Sequence, residues 1–456
     1  MTPSPGGLRP PARRRPIAPP HSAQKAEVIS GRGIPTLAHA LQRIKGDLGR
    51  FVSDALVRRL LADRDRFTRE RTLSPTVTTH LFLHQILHGN TAVTHLRRLS
   101  GLTFTRSAYC QARGRLPVAF FRALQEAVTD SVRTTSAATW RGHRVFLMDG
   151  SSFSMPDTPE LQEQFGQPGA QAAGCGFPVA HLLTLFEAET GVLLRVAVGP
   201  HRTHDLAHTP ALHPELRAGD LLVADRAFGS FAHLALCQRR GVHAVFRAHQ
   251  RRLSASRRTG PADRQVTYYK PKQRPTWMAE ADFVALPTQL TVREVRYRVS
   301  RPGRRVRWVT LVTTLTSATR YPPACLARLY ERRWQVETDL RHLKQTLGLD
   351  VLRCRTVAGV MKELLVFITV YNLVRRVMVE AAQRQKVAPR RISFVDALRW
   401  LRLAPPEDAL PALVVNSHRP DRVEPRVRKR RPNHYPAMTR PRPVLRAELT
   451  RQSLAA

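Results

Sequence analysis

The chain has 456 residues, enough for about three domain-sized units, and 42% of them are hydrophobic, so a sizeable core is available. Lys and Arg number 74 against 34 Asp and Glu, a formal charge of +40 that asks for a polyanionic partner, nucleic acid first among them. No apolar run reaches the roughly 18 residues of a membrane span, no signal-type apolar segment opens the chain, and five scattered cysteines without a CxxC pair exclude a zinc ribbon or disulfide framework and suit reduced thiols in the cytosol.

Residues 1–24 are Pro/Arg-rich and read as a disordered arm. From there to 138 the apolar spacing is helical, as in a helical DNA-binding module. Within it, TLSPTVTTHLFLHQILHG reads as a capped helix with Ser74 as N-cap, Pro75 at the first helical position and Gly89 past the end. The texture changes near residue 139. VFLMDG is a short buried strand, HLLTLFEAETGVLLRVAVGP a hairpin, and DLLVADRAFGS another buried strand leading to a helix and the strand VHAVFRAH. Such apolar runs suit a sheet covered on both faces. Residues 250–320 break the rhythm with a basic start and then TQLTVREVRYRVS and RVRWVTLVTTL, a β-rich insertion. After Tyr321-Pro322-Pro323 one long helix is expected to about Leu347, and another over 359–383. Residues 321–404 thus rejoin 139–249 as one domain. The remainder, 405–456, reads as a basic arm without periodicity, flexible or extended along DNA.

Carboxylates in apolar strands need a reason, because burial of an unpartnered charge is costly. Asp149 ends VFLMD and Asp225 ends LLVAD. Either could merely start a turn or cap a helix. Side by side, the two strands would aim both at one spot on the sheet rim. The following helix places Tyr330, Arg333, Glu337, Arg341 and Lys344 on one face, beside an apolar stripe of Leu329, Val336, Leu340, Leu343 and Leu347. An ion-paired solvent face would explain Glu337 between two arginines, but neither the tyrosine in line nor the two strand-end aspartates. Three carboxylates can hold two divalent ions about 4 Å apart for phosphodiester chemistry. Magnesium suits such hard oxygens, and Arg333 and Lys344 suit phosphates.

The spacing Tyr330-x2-Arg333-x3-Glu337-x6-Lys344 resembles the Y-R-E-K signature of the DDE transposases of insertion-sequence family four, and LMDGSSF, LLVADRAFGS and VYNLVRR resemble their surroundings. The likeness runs over roughly residues 75–440. It implies an RNase H-like mixed α/β sheet flanked by helices, with an all-helical amino-terminal domain and the β insertion at 250–320. It also implies Asp149, Asp225 and Glu337 as metal triad, with Mg²⁺ or substituting Mn²⁺. Tyr330, Arg333 and Lys344 would contact DNA phosphates, and Trp277 or Trp308 would stack on a flipped base. Apart from the resemblance, Arg341 on the same helix face and Arg226 beside Asp225 are further candidates for DNA contact, Arg226 either meeting phosphate or only pairing with the triad. Family members excise and insert an element by cut-and-paste through hairpin ends. The implied partners are terminal inverted repeats and target double-stranded DNA, bound by a homodimer in a synaptic complex at the nucleoid of a bacterial or archaeal cytosol. A binding-only remnant of a transposase, or a nuclease that cuts without joining, would show much of the same sequence.

Other groups weigh less. His80, His84 and His88 share a helical face but have no acidic or cysteine companion. His201, His204 and His208 surround Asp205 and suit loop ordering better than proton transfer. Glu363 competes with Glu337 but lacks its Tyr and Arg companions.

Overall fold

In the computed structural model the described residues are 49, 51–62, 72–133, 140–169, 171–249, 262–299, 307–403, 409–417, 438 and 440–455. The amino-terminal arm, the basic start of the insertion and most of the 405–437 stretch therefore lie outside them.

Eight strands form one sheet: β1 (Val145–Ser154), β2 (Val179–Glu187), β3 (Leu193–Pro200), β4 (Leu221–Ala224), β5 (His243–Arg247), β6 (Asp263–Tyr269), β7 (Gln289–Val299) and β8 (Arg307–Thr313). Their order is β3-β2-β1-β4-β5-β8-β7-β6. The antiparallel β3-β2-β1 meander beside parallel β1, β4 and β5 is the RNase H-like arrangement expected from the resemblance. β8 pairs antiparallel with β5, so the strands of the 250–320 segment continue the core sheet. The β2–β3 turn closes at Gly191, whose φ of 75° suits glycine. β1 does not stop at the aspartate as its sequence suggests. It runs on to Ser154 because β2 pairs with it along the whole length, down to Ser154↔Val179.

The front helices are α1 (Asp54–Arg59), α2 (Pro75–Leu87), α3 (Val93–Ser100), α4 (Arg106–Arg115) and α5 (Val118–Arg133). α2 starts as its sequence dictates, with the Ser74 hydroxyl accepting from Val77 N and proline in the first turn. In the core follow α6 (Pro159–Phe165), α7 (Asp205–Leu212), α8 (Phe231–Arg239), α9 (Glu280–Val284), α10 (Pro323–Glu331), α11 (Trp334–Arg341), α12 (Val357–Gln385), α13 (Phe394–Leu403) and α14 (Arg442–Ala455). One face of the sheet packs on α10–α13 and the front helices through Leu147, Val223, Val336, Leu340 and Phe367. The other packs on α7 and α8 through Phe146, Met148, Leu206 and Leu234.

Three sequence expectations need correction. The single helix to Leu347 is in fact α10, a tight turn, α11 and one π-turn over His342–Thr346. Bonds of the i→i−3 kind at Arg332, Arg333, Gln335 and Val336 tighten the joint, and Leu347 N reaches His342 O to widen the end. The closing residues are helical: Arg442 ion-pairs with Asp157 at 3.1 Å and covers the Phe177 ring, anchoring the start of α14. Lastly, α12 has 29 residues and is long and apolar enough to cross a membrane, yet it is mostly buried as the central helix of this core.

Candidate active site

The register of β1 and β4 decides where the aspartates meet. The parallel ladder ends at Met148↔Ala224, so the next residues are neighbours: Asp149, still within β1, and Asp225, the first residue past β4. Asp149 Oδ1 accepts from Gly150 N at 2.9 Å. Asp225 Oδ1 accepts from Ala227 N at 2.7 Å, capping the 3-10 turn Arg226–Phe228. Asp225 thus caps this turn while standing beside Asp149 at the end of the ladder.

The tight joint between α10 and α11 brings the third carboxylate over this spot. Arg333 Nη2 donates to Glu337 Oε1 at 2.9 Å, while its Nη1 lies 3.7 Å from Asp149 Oδ2. Burial pushes the Asp149 carboxyl up to about 6. Arg333 and the Gly150 N–H oppose the rise, and the nearby Asp225 and Glu337 charges add to it. Tyr330 is buried beside Arg333, and burial pushes its phenol up to about 12, with the Asp225 charge adding to the rise.

Two observations bear on a divalent ion. Asp149 Oδ2, Asp225 Oδ2 and Glu337 Oε2 each accept no hydrogen bond among the described residues. Three hard anionic oxygens with spare lone pairs are a donor set that magnesium favours. The three groups are not drawn together within 4.8 Å, the only such cluster among the described residues lying elsewhere. Like charges repel, and Arg333 stands between two of them as counter-ion. Two metal ions held side by side would not need the outer carboxylates to approach more closely. The residues fit.

The transposase DDE domain family matches residues 140–373, just over half of the chain, spanning this whole constellation. The transposase InsG for insertion sequence element IS4 of Escherichia coli (strain K12) is 26% identical over 356 residues, 72% of this chain and 78% of that protein. The chain belongs to the DDE transposases of insertion-sequence family four. A putative transposase InsZ of the same bacterium is 32% identical over 111 residues, 23% of this chain and 36% of its own. A piggyBac transposase in a synaptic complex with hairpin DNA gives a TM-score of 0.43 at 10% identity, covering 82% of this chain and 81% of that one, too distant a likeness to bear on the fold.

Around the carboxylates of the transposase the other residues divide. Lys344 lies in the π-turn, 3.1 Å from Asp350, and Arg341 and Arg226 are exposed. Trp277 packs on the back core, whereas Trp308 is 60% exposed under the Arg296 guanidinium. Trp334, which sequence reasoning passed over, is 53% exposed with Arg333 stacked on it at 4.9 Å. Glu363 is buried and occupied: it accepts from Asn90 Nδ2, Arg353 N and Cys354 N, and holds the segment before α12. His80 is tied to Val52 O, and no metal cluster forms with His84 or His88 among the described residues. His204 caps α7, and Asp205 pairs with His181, a partner the sequence could not reveal across the sheet.

That pair explains the glycine after Asp149. A Cβ at Gly150 would land on the Asp205 carboxylate, with Cγ 3.0 Å away. Gly150→Ala is expected to lower stability by about 1–3 kcal/mol through overpacking, read as a fall in the denaturant midpoint at unchanged slope.

Proposed function

We propose that this chain cuts and joins DNA with divalent metal held by Asp149, Asp225 and Glu337, moving an insertion sequence by cut-and-paste through hairpin ends. The observation that supports it best is the end of the β1–β4 ladder, where two aspartates stand side by side under Glu337. Magnesium, or manganese in its place, would supply Lewis-acid activation of the attacking and leaving oxygens there. Arg333 offers its fork to a phosphate once it releases the carboxylates, Tyr330 steadies that fork, and Lys344, Arg341 and Arg226 supply further cations along the DNA backbone. The helical front, residues 25–138, would bind the terminal inverted repeats, with a homodimer joining two ends and the target inside the cytosol. The domain bounds are those read from the sequence, with 139–249 and 321–404 as the catalytic unit.

Purified protein, DNA carrying the element's own ends and Mg²⁺ test this directly. Wild type is expected to give nicked, hairpin and joined products on denaturing gels. Asp149→Asn and chelation by EDTA should each remove all three while mobility-shift binding persists. Binding without cleavage by the wild type would leave a DNA-binding protein and sink the proposal.

A further inference from the structure

Behind the turn that carries Asp225 lies another set of ligand-type side chains. His213 opens the 3-10 turn His213–Glu215, and His233 and Cys237 stand one helical turn apart on α8. All three are buried, and one imidazole nitrogen from each histidine and the Cys237 sulfur lie within 4.8 Å of one another. Their surroundings are apolar: Phe228, Leu212, Leu234 and Phe246 belong to the same core cluster, and the His233 ring stacks on Phe246.

The protons can be assigned. His233 Nδ1 donates to Phe228 O at 2.9 Å, so in the neutral ring Nε2 carries the lone pair. That Nε2 faces His213 Nε2 at 3.1 Å. Burial keeps both rings neutral, lowering His213 to about 3 and His233 to about 4, and it raises the Cys237 thiol to about 12.

A plain hydrogen bond between the rings would account for two of these three groups. It does not involve the sulfur, which packs in the same core cluster and lies within 4.8 Å of both nitrogens as a third ligand atom. A backbone carbonyl on the far nitrogen is how ligating histidines are usually oriented. Two nitrogens bound to one tetrahedral ion at 2.0–2.1 Å stand roughly 3.3 Å apart, close to the separation seen here. We propose that His213, His233 and Cys237 form a buried site for one thiophilic metal ion, copper(I) or zinc. Two imidazoles and a thiolate suit both ions. No fourth His, Cys, Asp or Glu joins the cluster among the described residues. Charge favours copper(I), since a monovalent ion and one thiolate leave the apolar site neutral. The bound ion would join the His213 turn to α8 and, through Phe228 O, stiffen the turn that presents Asp225. It would be structural and separate from the carboxylate site.

The test uses the full-length untagged chain, reduced, stripped by chelator and titrated with copper(I) under nitrogen or with zinc, against a competing chromophoric chelator. Wild type and Asp149→Asn should each take up one ion at this site, and Cys237→Ala, checked for fold by circular dichroism, should bind at least about 100-fold more weakly. Cys354→Ala should bind like wild type. Uptake by wild type no tighter than by folded Cys237→Ala would overturn the proposal and leave a histidine–histidine hydrogen bond. Should Cys237→Ala fail to fold, X-ray absorption of loaded wild type decides: one sulfur and two imidazoles support the site, and an oxygen-only shell overturns it.

Discussion

Glu337→Gln is expected to lower DNA cleavage and strand transfer by about 10³-fold or more, a loss of several kcal/mol of transition-state stabilisation at 1.36 kcal/mol per tenfold. The substitution keeps shape and removes the charge that a divalent ion needs. Its effect on the fold should be small, because the Glu337 side chain is 45% exposed and its pairing with Arg333 is screened by solvent. DNA affinity should hold or rise slightly, since Arg333 is freed and one repelling carboxylate is gone. Single-turnover cleavage beside a mobility shift separates the two quantities. Full activity in Glu337→Gln would mean that another group completes the site. Glu363 is a poor substitute, because three donors already occupy its carboxylate.

What the sequence made legible follows from the range of the interactions involved. The strands β1, β2, β4 and β5 are buried apolar runs bounded by turn residues, and the helix of Ser74 and Pro75 carries its own start signal, so local pattern sufficed. The two aspartates were visible for the same reason: a charge at the end of an apolar run is locally anomalous. Their adjacency depends on the β1–β4 register, which needed only parallel pairing of two strands. What escaped is set by distant partners. Nothing local marks the joint at Arg332 and Arg333, where helix-favouring residues continue on both sides. The tightened turn becomes visible only where Arg333 reaches back to Asp149 on β1. His213 lies 20 residues before His233, and only the packing of α8 on the sheet brings them together. The closing helix was hidden by the proline and arginine that precede it, and its anchor, Asp157, lies 285 residues earlier.

Asp339 is the clearest case, and replacing it should give the largest loss of stability. It sits two residues after Glu337 on α11, in a sequence that reads as one more surface acid. Its carboxylate is instead 1% exposed and ion-paired with Arg375 on α12, itself 2% exposed, and with Arg390 at 3.0 Å. Arg375 is held further by the Tyr371 hydroxyl oxygen, to which its Nε donates at 2.9 Å. Asp339→Ala would leave one guanidinium buried without its anion, and breaking a buried pair from one side costs about 3–5 kcal/mol. Chemical denaturation should show a drop of that size, while Glu337→Gln under the same conditions should lose less than about 1 kcal/mol. Asp339→Asn, which keeps an acceptor for Arg375, should fall between them. Successive carboxylates on one helix would then be separated by function: Asp339 fastens α11 to α12, and that fastening holds the opposite face, with Glu337, over Asp149 and Asp225. A loss for Asp339→Ala no larger than for Glu337→Gln would show that the apolar stripe of Val336, Leu340 and Leu343 seats the helix by itself.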